Sequence, residues 1–267
     1  MEKIRFLILL GVFASGLQAQ ELAMVGFSTV FDQTTHSARL AYLPEPASVG
    51  FEVNNRFVKE LNVVKCFGAY STPSGVLSGM YKTFGYAPYR EHCLAVGLSR
   101  IITPRLALGL QAIPKIETFG KGYELQFSTD LNATCFTRLG QNLYGDSELN
   151  IPIRMSSNTR NDAPLQGFLR MSVSYVFSKQ CQTVVSVKQM LPYKTDVLLQ
   201  VCYWPISSLA FFGNVSSSGD CGFGVQYVFG QMLYRFQTHY RPIVGYSTTV
   251  GLSYQFKPSQ KTAHYDS

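Results

Sequence analysis

The chain has 267 residues and a formal net charge of +7, yet only 15% of its residues are charged, while 19 are Phe and 16 are Tyr. A typical soluble domain carries about 25% charged residues, so this composition argues against a fully water-exposed surface. The basic residues are spread singly, with no cluster of five or six and no interleaved aromatic-basic motif, which excludes nucleic acid as an expected partner.

Lys3 and Arg5 precede the apolar run Phe6 to Ala14, and Ser15-Gly16-Leu17-Gln18-Ala19 follows it. That is the layout of a cleaved secretory signal over residues 1–19. A run of about nine to twelve apolar residues is too short to span roughly 30 Å of hydrocarbon as a helix. No cysteine follows the run, so a lipoprotein signal is not indicated. Nowhere else does an apolar stretch approach the roughly 20 residues that a membrane helix needs. The exported chain is therefore expected to be soluble or to cross a membrane as a barrel.

Residues 20–46 alternate poorly and contain Pro44 and Pro46. They read as a short N-terminal segment that plugs a lumen or covers an end. From Ala47 the pattern changes to ribbons of about ten residues with period-two alternation, punctuated by turn residues. Leu169, Met171, Val173, Tyr175 and Phe177 alternate with Arg170, Ser172 and Ser174. Phe223, Val225, Tyr227 and Phe229 alternate with Gly222, Gly224 and Gln226. Tight joins are expected at 178–180, 204–207, 217–220 and 230–231, the marks of an antiparallel meander. Gly140 to Pro164, rich in Asn, Ser, Asp and Pro, reads as one long loop.

The ribbon from Gly245 to Phe256 is the cleanest. Tyr246, Thr248, Val250, Leu252, Tyr254 and Phe256 share one parity, and the other holds Gly, Ser, Thr and Gln. Thr249, Gly251, Tyr254 and Phe256 also fit a barrel-closing signal by which the last strand engages the barrel-assembly machinery. A polar tail, 257–267, follows it.

An open sheet in lipid would leave edge N–H and C=O groups unpaired, at several kcal/mol each, so a membrane sheet must close. The expected fold is all-β: a transmembrane antiparallel up-and-down barrel of about 14 strands over 47–256, located in the outer membrane and in contact with its lipid. The rival is a secreted soluble β-sandwich.

Six cysteines allow fifteen pairings, and none has C-x-x-C spacing. Small wall residues and cross-strand disulfides both fit them. His36, His92, His239 and His264 show no metal-ligand spacing, and no nucleophile elbow or phosphate loop occurs. No catalysis, metal or cofactor is expected. Glu124, Asp130, Arg170, Lys188, Arg235, His239 and Arg241 lie opposite the apolar parity. A charge in lipid costs about 2 to 4 kcal/mol near the midplane, so these seven should face the lumen or its rims. There they either attract an anionic group of a small amphipathic solute or pair with one another across a filled interior.

Several stretches resemble one family. These are Pro46 to Phe57 with Lys59-Glu60-Leu61, Phe84-Gly85-Tyr86 through Tyr89, Leu94 to Arg100, Leu108 to Gln111, Asn150 to Arg154, Leu169 to Phe177, and Gly245 to Phe256. Together they resemble Bacteroidota outer-membrane barrels of the FadL-like and PorV/PorQ-related type. The resemblance implies a barrel of about fourteen strands with an N-terminal hatch in the lumen, here reduced to Ser37-Ala38-Arg39-Leu40-Ala41-Tyr42. It also implies one of two roles: passage of small or hydrophobic solutes, or an accessory barrel working with type IX secretion proteins.

Overall fold

The computed structural model describes residues 36–42, 46–56, 62–86, 89–119, 124–154, 166–191, 194–242 and 245–256. The expected signal peptide and the polar tail lie outside the described residues, as do 20–35 and 43–45 of the N-terminal segment.

A short 3-10 segment, Ser37–Tyr42, precedes fourteen strands. They are β1 Ala47–Arg56, β2 Val63–Thr72, β3 Gly75–Tyr86, β4 Tyr89–Thr103, β5 Leu106–Phe119, β6 Glu124–Arg138 and β7 Leu143–Arg154. The second half is β8 Phe168–Ser178, β9 Cys181–Met190, β10 Lys194–Ile206, β11 Leu209–Ser216, β12 Cys221–Phe229, β13 Met232–Arg241 and β14 Gly245–Phe256. Each strand pairs antiparallel with its neighbour in sequence, and β1 pairs with β14 from Ala47↔Phe256 to Arg56↔Ser247. The sheet is a closed barrel, so no strand edge is left open.

Period-two alternation sorts the side chains. In β14, Tyr246, Val250, Leu252 and Phe256 are exposed on the outside, whereas Thr249 and Ser253 are buried on the inside. In β12, Phe223, Tyr227 and Phe229 point out, and Gln226 is buried within. Outward aromatics gather towards both ends. Tyr70, Phe177, Tyr203, Phe229 and Phe256 stand near the end that holds both chain termini of the barrel. Tyr81, Phe127, Tyr240 and Tyr246 stand towards the other. Two aromatic girdles around an aliphatic band are what a hydrocarbon layer with two watery boundaries selects.

The turns are unequal. At the terminal end the strands join through 73–74, 104–105, 139–142, 179–180, 207–208 and 230–231. Gly230 takes φ of 61° in the last of these, a conformation that a side chain would resist. β7 ends at Arg154 and β8 begins at Phe168, both at the opposite end.

Three expectations need correction. The stretch Gly140 to Pro164 is not one loop, because β7 occupies Leu143–Arg154 and pairs along its length with β6. Its inward positions carry Asp146, Glu148 and Asn150, and two outward ones carry Gly145 and Ser147, so polar residues occupy both parities and mask the alternation. The expected turn at 204–207 shifts to 207–208, since Trp204 to Ile206 still belong to β10. Strands run from 8 to 15 residues, a wider spread than the ribbons suggested. All six cysteines are free, which leaves the wall-residue reading.

Candidate functional site: the lumen

The lumen is not simply polar. Phe67 of β2, Met80 of β3, Cys93 and Ala95 of β4, Ile113 of β5 and Leu233 of β13 form one buried cluster, with Val228 of β12 packed against it. All sit on inward parities, so this cluster joins β12–β13 to β2–β5 through the interior. Gly50 of β1 makes room: a Cβ there would lie 2.3 Å from the Phe67 ring. Gly224 does the same for Phe212, whose ring would stand 2.2 Å from an added Cβ. An aromatic ring is thus seated where Gly224 lacks a side chain.

The 3-10 segment packs on the inner faces of β3 to β6. Ser37 Oγ lies 2.9 Å from Thr134 Oγ1, and the Ala38 N–H donates to the same oxygen at 2.9 Å. Gly109 is obligatory beneath them, because a Cβ would fall 2.4 Å from Ser37 Oγ. Ala38 packs with Phe136 and Tyr144, Tyr42 meets Phe136 edge-on at 5.4 Å, and Leu40 is buried with Ala69 and Val76. The Arg39 guanidinium donates through Nε to Asp146 Oδ1 at 2.8 Å and through Nη2 to Oδ2, a bidentate clamp. His36 Nε2 stands 3.6 Å from the same carboxylate. Burial nonetheless pushes the His36 imidazole down to about 4, against the pull of Asp146 and with help from Arg39 and Arg170.

Charged side chains elsewhere in the lumen pair between adjacent strands. Glu52 accepts from Lys65 at 2.7 Å and Glu91 from Lys82 at 2.9 Å; Asp130 pairs with Lys115. A row runs across β6 to β9. Asn132 donates to Glu148 Oε1 at 2.8 Å, Glu148 pairs with Arg170 directly opposite, and Lys188 stands opposite Arg170 on its other side. Lys188 Nζ also lies 4.1 Å from the centre of the Phe168 ring, and the Arg235 guanidinium 4.9 Å from that of Phe212.

Of the seven residues expected inside, Asp130, Arg170, Lys188, Arg235 and His239 point into the lumen. Arg241 sits at the rim, 3.2 Å from Asp220, and Glu124 is the first residue of β6. They do not form one cluster. The cross-lumen pairing expected of Asp130 with Arg170, Arg235 or Arg241 is replaced by contacts to the next strand, because a neighbour about 5 Å away is reached without crossing the interior. Arg39, Asp146 and Glu148 were not singled out in the sequence. Among the described residues, no group of three or more His, Cys, Asp or Glu could hold a metal.

No family model and no curated protein matches the chain. Solved structures do. The fold is similar to that of a TodX deltaS2S3 mutant, a monoaromatic hydrocarbon channel, with a TM-score of 0.70 and 9% identity over 84% of this chain and 94% of that one. The CymD monoaromatic hydrocarbon channel aligns with a TM-score of 0.66 and 11% identity, over 85% and 93% of the two chains. The Ralstonia pickettii toluene transporter TbuX gives 0.61 and 10%, over 84% and 93%. This chain shares their barrel architecture.

Proposed function

We propose that this protein is an outer-membrane channel for small hydrophobic solutes. The observation that carries the reading is the buried apolar cluster inside the lumen, around Phe67, Met80, Ile113 and Leu233. A pore built only to pass ions and sugars has no use for such a surface, whereas an apolar solute leaving water gains about 25 cal/mol for each Å² it buries there. The outward aromatic girdles and the unequal turns support membrane insertion, with the short turns at the periplasmic end. The neighbours named as hydrocarbon channels and toluene transporters point the same way. The accessory-barrel alternative finds no support among them.

In this reading residues 1–19 direct export and the strand holding Thr249, Gly251, Tyr254 and Phe256 engages the assembly machinery. The inward bases, Arg170 and Lys188 above all, brace the wall instead of capturing an anion. The FadL-like affinity is supported by the stretches that resemble that family, which lie largely within β1, β4, β5, β7, β8 and β14.

The test is toluene uptake by a bacterial host whose own outer membrane excludes hydrocarbons. Expression of the folded barrel should raise the uptake rate several-fold, and Leu233→Arg should abolish the gain while the barrel still shows a heat-dependent gel shift. Uptake unchanged by a correctly folded barrel would overturn the proposal.

A further inference from the structure

The outer wall, which should be smoothly convex, carries a groove of about 480 Å³ towards the terminal end, across β4 to β8. Strand register explains it. One row of outward side chains reads Leu98, Leu110, Ala133, Leu149 and Leu169 across β4 to β8; the next reads Arg100, Leu108, Cys135, Ser147 and Met171. A third, nearer the rim, holds Thr137 and Gly145 side by side. Ala133 and Cys135 of β6 and Ser147 of β7 therefore form the floor, and leucines of β4, β5 and β8 form its sides.

Charge marks the mouth of this groove. Arg100 lines it, is exposed on the outside, and forms no ion pair among the described residues. Arg105 lies in the adjoining turn 104–105. The turn 139–142, which joins the two strands of the floor, carries no carboxylate. An apolar trough opening at a cationic rim fits a ligand with an acyl chain and an anionic head.

We propose that this groove holds one anionic glycerophospholipid of the inner leaflet, its acyl chain over Ala133, Cys135 and Ser147 and its phosphate on Arg100. The volume is that of a small-molecule site. A guanidinium at the headgroup boundary supplies a charge-assisted, bidentate hydrogen bond to phosphate, which a zwitterionic lipid offsets with its own amine. The inference needs the barrel to lie in a membrane, as proposed above, but not to conduct.

The test is native mass spectrometry of the full barrel released from nanodiscs of phosphatidylethanolamine containing a minor fraction of phosphatidylglycerol. One phosphatidylglycerol should be retained well above its share of the bilayer. Arg100→Gln should lower that retention at least five-fold, and so should the double change Ala133→Leu with Ser147→Leu, which fills the trough and leaves Arg100 in place. Lys179→Gln, on a distant turn, should leave it unchanged. Equal retention of the two lipids, indifference to both groove variants, or an equal loss with Lys179→Gln would each overturn the proposal. Because every variant is checked for the heat-dependent gel shift, failure of lipid retention is distinguishable from failure to form a membrane barrel, and toluene uptake reports separately on conduction.

Discussion

The two sides of the lumen are built on opposite principles. Across β6 to β9 the interior is an ionic lattice, in which Asn132, Glu148, Arg170 and Lys188 stand in successive strands and Asp146 grips Arg39. Between β2–β5 and β12–β13 the side chains that meet through the interior form a hydrocarbon core in miniature, and the charges on those strands, Lys65, Lys82, Glu91 and Lys115, pair along the wall beside it. The ionic side fixes geometry, since each charge taken out of water is costly until its partner is in place. The apolar side tolerates change of shape, because its contacts have no required direction. If the barrel is the solute channel proposed above, one rigid side and one adaptable side would let it stay shut to ions yet admit an oily solute.

Asp146→Ala should strike hardest. It leaves Arg39 in the interior without its carboxylate, and loss of one partner of a buried pair costs about 3 to 5 kcal/mol. Urea unfolding in lipid vesicles should show that loss, and electrical recording should show higher leak as the 3-10 segment loosens. Leu233→Ala, on the apolar side, should cost less, about 2 to 4 kcal/mol from lost burial and the cavity left behind. It should widen the range of aromatic solutes accepted without raising ion leak. If both variants leak alike, the two sides do not differ in function.

Acid should act on the docked 3-10 segment through His36. The His36 value of about 4 lies below the ordinary value near 6.5, so from pH 6.5 down to 4 the released segment binds more protons than the docked one. Docking is thus fully stable above pH 6.5 and weakens as pH falls towards 4. Protease accessibility of the segment should rise over that window, and His36→Gln should flatten the response. The smallest effect is expected at Lys82→Met, since Lys82 and Glu91 remain partly solvated and such pairs contribute about 0 to 1 kcal/mol. A loss there as large as that of Asp146→Ala would remove burial as the explanation of the contrast.

The wall was legible in the sequence because lipid outside and water or protein inside impose opposite chemistry on alternate residues. Strands β8, β12 and β14 obey that rule cleanly, and Arg170 was placed correctly because its strand does. Strand β7 breaks it: Gly145 and Ser147 face outwards, so the carboxylates that alternate with them looked like part of a polar loop. Asp146 and Glu148 were missed for that reason. Arg39 lies on a 3-10 segment too short for any period to show, and His36 just precedes it. Leu233 shares the inward parity of Arg235 and Gln237, and only its position in space reveals that it belongs with Phe67, more than 160 residues earlier. Alternation tells inside from outside, but which inward residues meet depends on strand order and register.

The pairing of β1 with β14 also constrains how the molecule is made. Asn54 Nδ2 donates to Thr249 Oγ1 at 2.6 Å, and Ser253 Oγ donates to the Val49 carbonyl at 3.1 Å, so the seam is stitched by residues some two hundred positions apart. Contacts of such long range form late, after the loop-closure entropy has been met. The chain must therefore be kept unpaired until the strand Gly245–Phe256 arrives, and a chain cut short before that strand leaves a sheet that cannot be sealed.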